Sequence, residues 1–420
     1  MNRISNMIYE LPKMMAGDEL RRALEEIPYY DESVRLENDA LRLMELNELY
    51  QIYVPTEMSL EIYSKLYLAM LRSLQKKSGK LAVQQKNENF KGIQQNEYSG
   101  IIGGSDSFTI IGTSGIGKST AIARAIELIT DNKIIEVQNP YAKIIPCVVC
   151  QCPFDCSVKG LLLEILRKVD EWLDSKYYDK ALRSRATTDM LIGNVSQVAL
   201  NHIGLLVVDE IQNITHNRSG NSLIAMLTQL INNSGISICM VGTPESTFFF
   251  EQAMQLARRS LGLSYSTMPY DKYFRDFCRT VFEFQYVKNK TELTDGITEW
   301  LYEHSGGIIA IVVSLIHDAQ EIGILSGKEI LDMNTLNEAY QKRLSMLHNY
   351  LDPTVIHNQQ TTKSSIRKKK TKYSMQPCDV GIVEPDNKNN IIDMAKRAKE
   401  DDSDMVELLK GRFPIVEVSI

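Results

Sequence analysis

No stretch of this 420-residue sequence approaches the ~18 consecutive apolar residues that would span a bilayer. The opening segment MNRISNMIYELPKMMAGDEL interrupts its apolar runs with Glu10, Lys13, Asp18 and Glu19, so neither a secretory leader nor a membrane partner is expected. Cytoplasmic localisation is the default. No internal repeat is present. Cysteine is scarce and odd in number, seven in all, which does not suit a disulfide framework. Four cysteines fall in CVVCQCPFDC (Cys147, Cys150, Cys152, Cys156), a spacing that invites a zinc reading. No second CxxC or paired-histidine module completes a tetrahedral set, however. IIPCVVCQC also reads as an apolar strand, with Cys150 and Cys152 on one face and Val149 on the other. These cysteines are read as small buried hydrophobes. Excess positive charge is lacking too. A net charge of −6 argues against coating nucleic acid with the whole surface, though a local basic stripe is compatible with it.

What is present is ordinary globular composition, 44% apolar and 24% charged, in a chain long enough for two to three domains. Four segments are expected: a helical N-terminal extension over 1–95, an α/β core over 96–288, a helical lid over 289–350 and a flexible tail over 351–420. In the first, DESVRLENDALRLMELNELYQIY and PTEMSLEIYSKLYLAMLRSLQKK carry apolar residues at three- and four-residue spacing. The polar run QQKNENFKGIQQNEYSGIIGGSDS reads as a loop-rich boundary. In the core, short apolar runs (IIPCVVCQC, GLLVVDE, ISICMVGT) alternate with helical segments, which calls for a parallel sheet covered by helices.

A strand-like SFTII leads into GTSGIGKST, and a helical run follows. Backbone N–H groups converging on phosphates need glycine turns, a lysine for the β/γ charge, and a hydroxyl for Mg²⁺ at the helix start. The nucleotide set is therefore Gly112, Thr113, Ser114, Gly115, Ile116, Gly117, Lys118, Ser119 and Thr120, with ATP and Mg²⁺ as the ligands. GLLVVDEIQN ends a strand on Asp209 and Glu210, where open α/β sheets bind their ligands. Asp209 is read as holding Mg²⁺ together with Ser119, and Glu210 as orienting or deprotonating the attacking water. CMVGTPES ends a third strand on Thr243, placed to sense the γ-phosphate or that water. QLARRSLG adds Arg258 and Arg259, where a ring-forming ATPase projects an arginine into its neighbour's site.

This order of phosphate loop, DE strand, sensor strand, paired arginines and a lid opening on Ser305 to Gly307 resembles that of AAA+ P-loop ATPases. GLLVVDEIQNITHNRSGNS, MVGTPES with QLARRSLG, and GGIIAIVVSLIHDAQ narrow the resemblance to TnsC-type regulators of heteromeric, Tn-seven-like transposons, relatives of TniB, MuB and IstB. It covers residues 100 to 345, with a weaker echo at IYVPTEM. The resemblance implies an ATPase that assembles as rings or filaments on double-stranded DNA. Such a protein receives a signal from a DNA-binding or CRISPR-associated target selector, activates transposase subunits, and is reset by hydrolysis. One departure from the general AAA+ pattern is that GGIIAIVVSLI holds no arginine or lysine to serve as a second sensor, so hydrolysis is expected to be slow and regulatory. A helicase- or clamp-loader-like protein acting on a protein client shares the same motifs. A small-molecule kinase fits the acidic pair, arginine pair and lid less well.

DNA contact is expected from LDSKYYDKALRSRATTD, through Lys176, Lys180, Arg183, Arg185 and Thr187, since cations and hydroxyls suit sequence-independent phosphate contacts. The resemblance places this region on a ring's inside. The tail carries KSSIRKKKTK and then an acidic stretch with scattered apolar residues, expected to recruit transposase by folding on a partner.

Overall fold

The structure is a computed structural model that describes residues 11–95, 100, 107–138, 141–213, 220–247 and 262–344. The chain divides into two units, Met1–Thr362 and Lys363–Ile420, and the second lies wholly outside the described residues. So do Arg258, Arg259 and the rest of the tail.

The N-terminal extension opens with α1 (Gly17–Leu24). The segment read as one helical run from Asp31 is instead broken: a 3₁₀ turn (Glu32–Leu36), α2 (Asp39–Glu45) and a second 3₁₀ turn (Leu46–Gln51). Asn38 explains the restart, because its side chain accepts from Leu41 N at 3.0 Å and caps a new helix. Two longer helices follow, α3 (Glu57–Lys77) and α4 (Lys80–Gln95). The polar stretch expected to be loop is thus helical through Gln95. Two of its amides are buried rather than solvated: Gln85 donates to Asn89 (2.8 Å) and Asn89 to the Asn233 carbonyl (2.9 Å). A polar helix face satisfied by protein partners carries no apolar signature in sequence.

The core then runs β1 (Phe108–Gly112), α5 (Lys118–Thr130), β2 (Ile135–Gln138), β3 (Tyr141–Gln151), α6 (Val158–Leu173), α7 (Tyr177–Arg183), α8 (Thr188–His202), β4 (Ile203–Asp209), α9 (Gly220–Ser234), β5 (Ser237–Gly242) and β6 (Leu263–Tyr265). The sheet order is β2-β3-β4-β5-β1-β6. It is parallel except at one edge, where β2 pairs antiparallel with β3. The expected parallel sheet flanked by helices thus carries one antiparallel edge: Gln138 pairs with Tyr141, and a connection this short permits only an antiparallel return.

Strands β1 and β5 are buried along their whole length, and β4 until its last residue. Burial on both faces is why they read as continuous apolar runs. Along β4, Leu205 and Val207 pack with α3 and α5, whereas Leu206 and Val208 pack with α6, α8 and α9. Lys77, at the end of α3, donates to the carbonyls of Ala199 (2.7 Å) and Ile203, tying the N-terminal extension to the α8–β4 junction. The cysteines follow the same alternation. Cys150 and Cys152 share the α6 side with Cys156, Cys147 faces α5, and Val149 is partly exposed. Burial pushes the thiols of Cys150 and Cys152 up to about 12, which keeps them protonated and unreactive.

A third apolar cluster joins α10 (Lys272–Glu283), α11 (Asp295–Ser305), α12 (Ile309–Leu325) and α13 (Met333–Ala339). Leu46, Leu49 and Ile52 of the N-terminal extension belong to it as well. Among the described residues no single helix is long and apolar enough to cross a membrane. The Ser305–Gly307 turn joins α11 to α12. Gly307 has φ +75°, and a Cβ there would stand 2.1 Å from the Met268 carbonyl oxygen. Gly307→Ala is therefore expected to cost about 2 kcal/mol or more, measured as a fall in the urea midpoint.

Candidate nucleotide site

Strand order assembles the site. Strand β5 lies between β1 and β4, so the residue ending β5 sits between the loop after β1 and the acidic pair ending β4. Thr243 is that residue. Ninety positions apart in sequence, Ser119 Oγ donates to Asp209 Oδ2 at 2.9 Å. The loop itself turns through Gly115 (φ +81°) and Gly117 (φ +92°), conformations that side chains rarely adopt. At Gly115 a Cβ would also come within 2.9 Å of Ile308 in the lid, whose Ala310 N donates to the Gly115 carbonyl at 3.2 Å. Loop and lid are thus directly bonded.

Lys118 Nζ donates to the carbonyls of Gly112 (2.7 Å) and Thr113 (2.8 Å). Burial lowers its pKa, while the carboxylates of Asp209 and Glu210 oppose that shift. Glu210 sits at φ +58°, and its carboxylate accepts from Gln212 Nε2. Thr243 Oγ1 is buried with no hydrogen-bond partner among the described residues. A hydroxyl left unsatisfied beside the cavity that Thr243 lines is available to a ligand.

These groups line a cavity of about 400 Å³, ordinary for a small-molecule site. Glycine turns, a lysine, a serine hydroxyl and an aspartate fit a nucleotide phosphate chain with Mg²⁺. Lys118 is the one cation among the described lining residues. The lid contributes Ile309, Ala310, Val313 and Ser314, all uncharged, as the absence of arginine and lysine from GGIIAIVVSLI implied. Sequence reasoning missed the other wall. Leu49, Tyr50, Ile52, Tyr53 and Val54 of the N-terminal extension close the cavity, with Phe277 from α10. The one available signal was IYVPTEM. Gln212 was also overlooked, although it stands in the same DEIQ stretch as the acidic pair.

The expected DNA-contact residues gather elsewhere. Lys176, capping α7, and Lys180 and Arg183 within it fall at four- and three-residue spacing, all exposed, and none forms an ion pair among the described residues. Arg185 follows in the connection to α8 at φ +48°. Thr187 is a helix cap, its hydroxyl accepting from Met190 N at 3.3 Å. Asp170 anchors this hairpin by accepting from Ser175 Oγ (2.5 Å), Tyr177 N (2.9 Å) and Tyr178 N (2.8 Å). Asp174, Asp179 and Asp189, whose negative charge opposes the stripe, are all exposed. A separate group with metal-ligand spacing, His317, Asp318 and Glu321 on α12, is bridged by the Arg343 guanidinium.

Residues 103–264 match the model of the TniB family, described as Bacterial TniB protein. No curated protein matches the chain. Among solved structures, the Aeropyrum pernix ORC1 protein in complex with DNA is 15% identical, covering 63% of this chain and 65% of that one, with a TM-score of 0.41. The chain thus spans just under two thirds of that relative. Drosophila ORC bound to DNA is 12% identical over 80% of this chain and 71% of that one, with a TM-score of 0.42. Domain III of Thermotoga maritima DnaA is 14% identical over 63% and 92%, with a TM-score of 0.35. The match to the TniB family model thus spans the phosphate loop after β1, the acidic pair after β4 and the interposed β5.

Proposed function

We propose that this chain is an ATP-hydrolysing, DNA-binding regulator of transposition that assembles on target DNA in its nucleotide-bound state and is reset by hydrolysis. The observation that carries it is the Ser119–Asp209 contact, which closes loop, acidic pair and Thr243 around one cavity roofed by the lid. Gly112 to Thr120 would cradle the phosphates, and Lys118 would turn from its loop carbonyls to the β/γ charge. Ser119 and Asp209 would hold Mg²⁺, which when bound supplies positive charge that offsets the phosphates' own. Glu210 would accept the proton of the attacking water, and Thr243 would hold that water or the γ-phosphate. Arg258 or Arg259 would come from a neighbouring copy, so that hydrolysis depends on assembly.

The DNA limb rests on the α7 stripe, with the TniB match as support. Transposase subunits and a target-selecting protein complete the partners, with the tail as the recruiting segment. Electron microscopy with duplex DNA, under ATP, a non-hydrolysable analogue or no nucleotide, tests the reading. Rings or filaments that need nucleotide support it, and a chain that stays monomeric on DNA in all three states overturns it. In the same assay Lys176→Ala/Lys180→Ala/Arg183→Ala is expected to weaken DNA affinity uniformly across sequences. The triple variant should also reduce the slope of log K against log salt by about 2–3. An unchanged salt slope would place the DNA elsewhere.

A further inference from the structure

Two helices of the N-terminal extension are packed inside out. A helix on a globular core ordinarily turns its apolar stripe inward and its polar residues to solvent. In α4 the buried residues are Ala82, Gln85 and Asn89. Ala82 packs on Leu200 of α8, and Asn89 donates to the Asn233 carbonyl of α9 at 2.9 Å. Val83 (50% exposed) and Phe90 (61% exposed) stand seven residues apart and so share the outward face. Lysines flank them: Lys80 lies three residues before Val83, and Lys86 four before Phe90. Glu88, the one acid between Lys80 and Lys91, is bonded to Lys91 at 2.9 Å.

The inversion recurs in α2 with the opposite charge. Arg42 is fully buried, while Leu36 (83% exposed), Leu41 and Met44 (71% exposed) face solvent. The charges around them are acidic. Asp39 is bonded to Arg42 (2.6 Å), and Glu37 and Glu45 are exposed. Both faces belong to one unit, Met1–Thr362, and each is exposed within it, so neither covers the other. One is apolar between lysines and the other apolar between carboxylates. Each would therefore repel its own counterpart on a second copy and attract the other face. A contact between unlike faces of identical chains is heterologous, and it repeats from copy to copy.

We propose that α4 of one copy docks on α2 of the next, burying Val83 and Phe90 against Leu36, Leu41 and Met44, with lysines and carboxylates at the rim. The inference rests on the reading that copies assemble, and it names a surface separate from Arg258 and Arg259. The turn that continues from α2 lines the nucleotide cavity through Leu49 and Tyr50, so the docked helix lies beside that wall.

The test uses the full chain with duplex DNA and a non-hydrolysable ATP analogue, and reads the protein concentration at half-assembly by sedimentation. Lys80→Glu/Lys91→Glu and Glu37→Lys/Glu45→Lys are each expected to raise it about tenfold. The four changes combined restore opposite charges across the contact and should return it to within about threefold of the wild type. Phe90→Ser, which alters no charge, should raise it about tenfold as well. These positions are exposed, so melting midpoints are expected within about 2 °C of the wild type.

Glu37→Lys/Glu45→Lys separates this contact from DNA binding, because added positive charge strengthens a phosphate contact and weakens the proposed one. Half-assembly that is unchanged or lowered in that variant overturns the contact, as does a combined variant no better than the two doubles. An unchanged value in Phe90→Ser overturns it too. In each of these cases the wild type still assembles, so the assembly reading stands. A wild type that does not assemble with DNA and nucleotide overturns both.

Discussion

Glu210→Gln is expected to slow steady-state ATP hydrolysis by at least about a hundredfold while nucleotide still binds. The substitution is nearly isosteric. It leaves the Ser119–Asp209 contact at 2.9 Å, the glycine turns and Lys118 untouched, so the elements read as holding phosphate and Mg²⁺ stay in place. What it removes is the one proton acceptor that the exposed end of β4 offers beyond Asp209. Phosphate release measured beside fluorescent-nucleotide affinity makes the distinction. A low rate with unchanged affinity assigns Glu210 to the chemical step, and a matching loss of affinity assigns it to binding. Under the proposed cycle the same variant should form DNA assemblies that persist after excess ATP is removed. If those assemblies decay as fast as the wild type's while hydrolysis is blocked, hydrolysis is not what resets them.

How much of this was legible in the sequence depends on what each feature needs from its neighbours. GTSGIGKST could be read directly because phosphate binding demands particular residues in contiguous order, with φ values at Gly115 and Gly117 that other residues resist. The pair Asp209–Glu210 was legible because a strand buried on both faces must be apolar until it leaves the sheet. The placement of Thr243 needed one further step, the strand order that sets β5 between β1 and β4. The features that escaped depend on distant partners. The polar helix α4 is held by Asn89 on the Asn233 carbonyl, a contact across 144 positions. The antiparallel β2 follows from a tight return rather than from composition. Most of all, the cavity wall at Leu49 to Val54 looks like one more amphipathic turn until tertiary packing brings it over the phosphate loop.

Arg42 ties the segment leading into that wall to the lid, and Arg42→Ala is expected to cost about 3–5 kcal/mol, the usual penalty for breaking a buried ion pair by removing one partner. Arg42 is fully buried. It grips Glu329 through two parallel bonds (2.7 and 2.8 Å) and also donates to Asp39 (2.6 Å) and the Tyr286 carbonyl (3.0 Å). Glu329 lies 287 positions away, before α13, so these bonds fasten α2 to the lid. The Arg42 hydrogen bonds hold the Glu329 carboxyl down at about 2, against 4.5 ordinarily. A depressed carboxylate pKa contributes stability that is complete above the unfolded value and is lost as pH falls from about 4.5 through 2. Urea unfolding at pH 7 and pH 3 should therefore show a larger gap between wild type and Arg42→Ala at pH 7. Function follows from position: the 3₁₀ turn Leu46–Gln51 continues directly from α2 and carries Leu49 and Tyr50 to the cavity. Loosening α2 should consequently raise nucleotide Kd at temperatures well below the melting point, with Lys118 and Asp209 intact. Lower stability with unchanged Kd would mean that the clamp holds the lid without shaping the nucleotide cavity.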